Sequence, residues 1–569
     1  MKKLSSILVL IFCLIPFVAS AWILRDEFNT ALSAGSVHNT TSEPSGHTRT
    51  VTDTENKISI ADGKLTFSGG KASPAVGDPA IWYPAIDRVA GRMLMLDYAA
   101  SSQLYSHFGF DNDQTTFTGV HTFGMMSANK YFNVENSGYI YPYTNDSSYK
   151  LSSILRAKGQ FAFMSENNAY WKLMWFNASS NLTPLYPTIF NHSSTFTSSF
   201  LRIPTTLWLP TPLASDGFGT SGTTDGLGHA EGVAGGIGEG GGGLAWHSGG
   251  STWSVSEGKA VNTPTVGATL WDTGADTFES GTYGWVKYGN NTIENDNGKL
   301  KITYVDNANG AYNYLVESGD LTAPLTVGQW YMFTADMMTA QTAQGDAFHI
   351  MDGVSILNAA WVASNTMTPY NISFRAASAN GGFVYVGVLA AGDVFYIDNI
   401  SLKPLTLSEL VNTVQTSTKD VIATINIPIV SGTGAWGGVA LNVDSATNPQ
   451  NMVIGITNTS KAILTKMVNG VWTEVISGNI TWVSNAELRV IKDGTTYRLY
   501  YNNALVGTAT ISDASIVNNT RHGLFSTDVK NTLDNFTLYA RGTGNEYNIL
   551  NQLMSTTSGG SLNLLGVGK

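Results

Sequence analysis

The chain has 569 residues; 13% are charged, 11% are aromatic, 59 are glycine, and the formal net charge is −11. At roughly 150 residues per domain this length allows about three or four domains, and a hydrophobic fraction of 43% excludes a disordered chain. So low a charge content does not suit long solvated helices, and no Lys/Arg-rich run is present to form a nucleic-acid surface. Abundant turn formers and aromatic residues instead suit β-sandwiches.

Residues 1–21 read as a secretory signal peptide: Lys2 and Lys3, an apolar core from Ile7 to Val18, and a small-residue cleavage site at Ala19-Ser20-Ala21. Its removal would take the net charge from −11 to −13 and would also remove Cys13, the only cysteine. The mature chain is then expected to hold no disulfide, no Cys-ligated metal and no Cys nucleophile. No later run approaches the roughly 18 apolar residues of a membrane span.

Three segments open alike, with Asp-x-Phe followed later by Gly-Lys-apolar: Asp26 to Phe28 with Gly63-Lys64-Leu65, Asp216 to Phe218 with Gly258-Lys259-Ala260, and Asp276 to Phe278 with Gly298-Lys299-Leu300. Two close alike, Asp398-Asn399-Ile400-Ser401-Leu402 and Asp534-Asn535-Phe536-Thr537-Leu538. Leu155 to Phe163 and Leu488 to Tyr497 both read as strand, tight glycine turn, strand.

The spacing of these marks predicts one sandwich over 22–204 and a stiff linker over 205–212. It predicts a second, discontinuous sandwich from 213–270 plus 406–541, a third inserted over 271–405, and an unassigned tail over 542–569. The first of these split pieces is too short and too rich in glycine to bury a core alone, and insertion is tolerated where chain ends meet at a surface. Period-2 alternation, as in Tyr497-Arg498-Leu499-Tyr500-Tyr501, supports strands throughout. Leu405 to Val414 reads as one short helix.

The stretches 22–204 and 213–270 plus 406–541 resemble concanavalin-A-like (laminin-G-like) jelly-roll domains. The resemblance rests on the opening Asp-x-Phe, the run Trp253 to Ala260, the Lys492-Asp493-Gly494 hairpin and the closing Asp-Asn-Phe-Thr-Leu. The stretch 271–405 resembles a carbohydrate-binding-module jelly roll of the galactose-binding-like kind, through Thr277-Phe278-Glu279, Gly284-Trp285, Gly328 to Tyr331 and Phe395 to Leu402. The implied fold class is all-β, with antiparallel β-sandwich domains, one set into another. Such folds host lectins, hydrolases and structural domains alike.

Glycoside hydrolysis needs two carboxylates about 5–10 Å apart. The Glu-x-Asp-x-x-Glu strand of glucanases with this fold is absent, and Asp53-Thr54-Glu55 reads as a solvated bend. There is no Gly-x-Ser-x-Gly elbow and no His-Glu-x-x-His. Gly236 to Gly241 fits Gly-x-Gly-x-x-Gly only formally and reads as a flexible loop. The chain is therefore expected not to be an enzyme. The resemblance implies a possible structural calcium, with Glu279 and Asp398 at the matching positions; Asp111-Asn112-Asp113 is a weaker oxygen-rich turn.

Sugar binding uses aromatic faces with amides or carboxylates beside them. In the inserted stretch the candidates are Trp285, Tyr288, Tyr312, Tyr314, Trp361 and Tyr385, whereas Trp330 reads as core. In the first stretch Tyr139, Tyr141 and Tyr143 share a face around Pro142, which marks an edge strand. The expected role is a secreted or surface-displayed, non-catalytic polysaccharide-binding or adhesion protein, its partner a glycan surface and not nucleic acid. The alternatives are a structural or virion-type appendage and a polysaccharide hydrolase or lyase with an unrecognised site.

Overall fold

A computed structural model describes residues 22–69, 78–100, 106–114, 122–126, 131–134, 139–142, 148–177, 183–192, 195–218, 244–250, 252–271, 277–283, 285–287, 290–305, 312–316, 321–340, 347–351, 356–362, 364–379, 382–386, 391–429 and 435–555. The signal segment 1–21, the glycine run 236–241, Asp276, Tyr143 and Tyr288 lie outside the described residues. The chain divides into two compact units, one of residues 1–210 with 541–569 and one of residues 211–540. Both are all-β and antiparallel. Among the described residues no helix is long and apolar enough to cross a membrane.

The first unit has a nine-stranded and a seven-stranded sheet. The larger is built around Met93–Ala100, Ser148–Leu155 and Gln160–Glu166; the smaller around Ser106–Asp111 and Tyr186–Asn191. Tyr139–Pro142 ends the smaller sheet, where a proline costs no ladder hydrogen bond. Phe67, Leu96, Phe163, Trp175 and Phe196 are buried, and Phe196 stacks on Phe67 and Tyr98 at 4.6 and 4.7 Å.

Residues 205–210 of the segment expected to be a linker and the described part of the tail also belong to this unit. Trp208 N donates to Gly91 O at 3.0 Å, an approach that leaves no room for a side chain at Gly91, whose φ is +87°. Tyr547 packs edge-on against Phe163 and Trp208, and Trp171 Nε1 donates to Asn551 Oδ1 at 2.9 Å on the helix Ile549–Ser555. Arg541, expected to close the second sandwich, instead donates to Leu173 O here. The apolar side of the tail explains its docking: Tyr547, Leu550 and Leu553 are buried.

In the second unit, strands from 213–270 and from 406–540 share two sheets. Ala214–Asp216 and Lys259–Asn262 pair with Thr532–Ala540, and His247–Ser248 pairs with Val411–Gln415. Between the eight- and seven-stranded sheets lies one apolar core that includes Trp246, Trp253, Ile425, Leu464, Leu488 and Leu499. Residues 271–405 form two further five-stranded sheets around Phe278, Phe333, Phe348 and Ile397. The chain enters and leaves this segment side by side, with Gly267 N on Pro404 O at 2.9 Å and Leu270 N on Leu402 O at 2.6 Å. The short helix covers only Leu407–Leu410; Val411–Gln415 is a strand because it completes the seven-stranded sheet.

The repeated sequence marks have a structural cause. Phe28, Phe218 and Phe278 have φ of 51°, 51° and 50° and are buried at 0–1% exposure. A left-handed phenylalanine is strained. The preceding carboxylate stabilises the turn: Phe28 N donates to Asp26 Oδ1 at 3.3 Å and Phe218 N to Asp216 Oδ1 at 2.8 Å. The closing mark is a β-bulge. Asn399 and Asn535 have φ of 52° and 51°, each with its N–H on the preceding aspartate, and strand register shifts at both.

Candidate functional site

The strand Trp330–Ala340 alternates. Tyr331, Phe333, Ala335 and Met337 face the core of the inserted sandwich, while Trp330 and Met332 face the other way. The host strands alternate to match: Val453 and Leu464 point into their own core, and Met452, Ile454, Ile456, Ile463 and Met467 point out of it. The two outward sets form one apolar cluster with Trp436 and Phe525. Polar contacts fix the register: Asn371 Nδ2 donates to Asp528 Oδ2 at 3.1 Å, Asn458 Nδ2 to Asn358 Oδ1 at 3.1 Å, and Ser373 Oγ meets Thr527 Oγ1 at 2.5 Å. Burial pushes the Asp528 carboxyl up, against the hydrogen bonds from Lys530 N–H and Asn371.

A groove of about 690 Å³ opens along the edge of this junction, within the size range of small-ligand sites. Trp330 and Trp436, both buried, form its apolar floor. The turn Asn469-Gly470, with φ of 50° and 79°, closes a two-residue hairpin and presents Val471 and Trp472 on its wall. Val471 and Val327 are 68% and 61% exposed, apolar residues placed on a rim. Arg375, which pairs with Trp330 across the sheet, extends over the Trp472 ring with its guanidinium carbon 5.2 Å from the centroid. Its side-chain hydrogen bond among the described residues, to Thr465 Oγ1, is long at 3.5 Å. Burial lowers its pKa to about 10, partly opposed by Glu474. Lys461 and Glu474 complete the polar lining.

Among the described lining residues none is an aromatic expected to bind sugar. Trp285 is 3% exposed and packs against Phe278 and Phe348, each at 6.4 Å, so its faces are taken up by the core. This corrects its assignment as a stacking platform; the cause is the inward side of the strand on which it falls. Tyr312, Tyr314, Trp361 and Tyr385 fall on the strands Tyr312–Val316, Ile356–Trp361 and Gly382–Val386 of one sheet, their side chains outside the described residues, like Tyr288. Trp330 is core as expected, but core between two sandwiches.

Glu279 is exposed on the turn after Phe278, and Asp398 begins the closing bulge. Burial, and then the nearby Asp336 and Glu279 charges, push the Asp398 carboxyl up against the Asn399 N–H. Asp336 is engaged with Asn399 Nδ2 at 2.7 Å. Among the described residues no group of three or more His, Cys, Asp or Glu side chains is arranged to hold a metal. Asp53 closes a turn by accepting from Lys57 N and Ile58 N at 2.6 and 2.7 Å, which makes it the bend expected. Asp111 is fully buried and accepts from Asn112 N.

The groove residues went unrecognised because they come from four distant segments. One signal was present: Val471-Trp472 directly follows an Asn-Gly turn, where polar residues are usual.

The fold places the chain among all-β proteins built of antiparallel sandwiches. No protein-family profile matches it, and no curated protein does. Among solved structures it is similar to the carbohydrate binding module CBM66 from Bacillus subtilis, at 17% identity, covering 23% of this chain and 78% of that one, with a TM-score of 0.18. A family 16 glycosyl hydrolase from Mycobacterium smegmatis matches at 7% identity over 32% of this chain and 99% of that one, with a TM-score of 0.23. Sheep galectin-11 matches at 12% identity over 22% and 93%, with a TM-score of 0.17. Likenesses this slight carry no functional argument.

Proposed function

We propose that this is a secreted, non-catalytic glycan-binding protein, and that the groove between the inserted sandwich and its host is a binding site. The observation that carries the reading is the groove itself: the Trp472 indole on its wall, an apolar rim at Val327 and Val471, and hydrogen-bonding groups from Arg375, Lys461 and Glu474, above a base closed by the buried Trp330 and Trp436. Sugars present C–H faces and hydroxyls together, and such a lining meets both. Glu474 is the only carboxylate among the described lining residues, and hydrolysis of a glycosidic bond uses two, so the lining supports binding over cleavage. Secretion rests on the features of residues 1–21.

The test is affinity electrophoresis of the whole chain through gels containing different polysaccharides. At least one polysaccharide is expected to retard the protein, and Trp472→Ala to lose most of that retardation while keeping its unfolding midpoint. Unretarded migration in every gel, or equal retardation of the variant, contradicts the reading.

A further inference from the structure

The groove also carries information about which saccharides it accepts. Its charged lining is two cations and one carboxylate, in a chain whose net charge is −11, so the positive character is local. Among the described residues neither Arg375 nor Lys461 is in an ion pair. Arg375 is half-buried, and among the described residues its planar fork of N–H donors has only the long contact to Thr465. The centroid of the Trp472 ring lies 5.2 Å from its guanidinium carbon. Burial lowers the pKa of this arginine, and the Glu474 charge opposes that only in part. A guanidinium set against an indole and lining an open groove can receive carboxylate or sulfate in two parallel hydrogen bonds.

Resting on the glycan-binding reading above, we propose that this groove selects saccharides that carry an anionic substituent, a ring carboxylate or sulfate. Arg375 receives the anion, Lys461 adds a second positive charge, and the apolar rim with Trp472 takes the C–H face of the sugar. Trp472 is a positioning residue for Arg375 as well as a contact surface. Hydrogen bonds to a charged partner contribute enough to give about a tenfold or larger preference for the charged ligand.

The experiment titrates the whole chain calorimetrically with an oligogalacturonate and with the same oligosaccharide methyl-esterified, which keeps the rings and removes the charge. A sulfated and an unsulfated galactan oligosaccharide form a second pair and tell the two anion sources apart. The acidic member of at least one pair is expected to bind about tenfold or more tightly than its neutral partner. Arg375→Gln is expected to weaken the acidic member about tenfold or more beyond any loss at the neutral member, which abolishes that preference. Lys461→Gln, at a half-buried surface position, is expected to reduce the preference in part and serves if the arginine variant unfolds. Neutral members binding as well as charged ones, or a preference unchanged in both variants, overturns the proposal and leaves glycan binding standing. Failure of all four oligosaccharides, together with unretarded migration in every polysaccharide gel, overturns both.

Discussion

Asp26 holds the opening turn of the first sandwich, and replacing it by asparagine is expected to cost several times what a neutral turn contact contributes. Asp26 is fully buried and carries its charge opposite Arg49, itself 2% exposed, through Nε–Oδ2 and Nη2–Oδ1 contacts of 2.7 Å each. Tyr83 OH adds a third bond at 2.8 Å. Asp26→Asn keeps the shape but leaves the Arg49 charge buried and uncompensated, a loss of about 3–5 kcal/mol. In the second unit Asp216 holds the corresponding turn, accepting from Phe218 N at 2.8 Å and from Trp246 Nε1 at 3.0 Å. Native-state hydrogen exchange read by mass spectrometry resolves the two units separately. Protection of Trp22–Asp26 and Leu201–Pro204, which pair, is expected to fall about a hundredfold or more in Asp26→Asn. A loss of less than about tenfold would refute the claim that a buried ion pair holds this turn.

Burial holds the His522 imidazole down at about 4, against about 6.5 in an unfolded chain. As pH falls below about 6.5 the unfolded state takes up a proton first, so stability of the host sandwich is expected to decline between about pH 6.5 and 4, by up to about 3 kcal/mol. His522→Gln should flatten that decline in denaturant titrations, and His107, also held at about 4 by burial, contributes the same trend in the first unit. Lys492 Nζ lies 2.7 Å from Asp420 Oδ1 with both side chains buried. Asp420→Ala is expected to cost about 3–5 kcal/mol, and the Asp420→Leu/Lys492→Met double variant to recover most of it, as a double-mutant cycle on unfolding free energies would show. At the closing bulge, Asn535→Gly is expected to be nearly neutral and Asn535→Val to cost about 1–2 kcal/mol, because only the β-branched side chain resists φ near 51°; thermal unfolding separates the two.

The β-sandwich class was legible because strand alternation and turn chemistry act over a few residues. The opening and closing marks were legible for the same reason: Asp26 with Phe28 and Asp534 with Asn535 are local devices. The first sandwich also has a closing bulge, but its carboxylate sits on the neighbouring strand. Asp97 accepts from Ser199 N and Phe200 N at 2.7 and 3.2 Å, so no Asp-Asn pair announces it. The groove was illegible for a related reason. Arg375, Trp436, Lys461 and Trp472 meet only because two sheet faces dock, and a docked face looks in sequence like any other alternating strand. Trp285 and Trp330 show the limit of alternation: it says that two sides exist without saying which side meets sugar, core or a second sandwich.

The most direct test of the central claim is a comparison of hydrogen exchange in the whole chain with and without a polysaccharide that retards it. The account predicts added protection confined to the groove walls, residues 327–330, 375–377, 461–463 and 470–474. Protection elsewhere, with these segments unchanged, would place the binding surface on another part of the molecule and contradict the account.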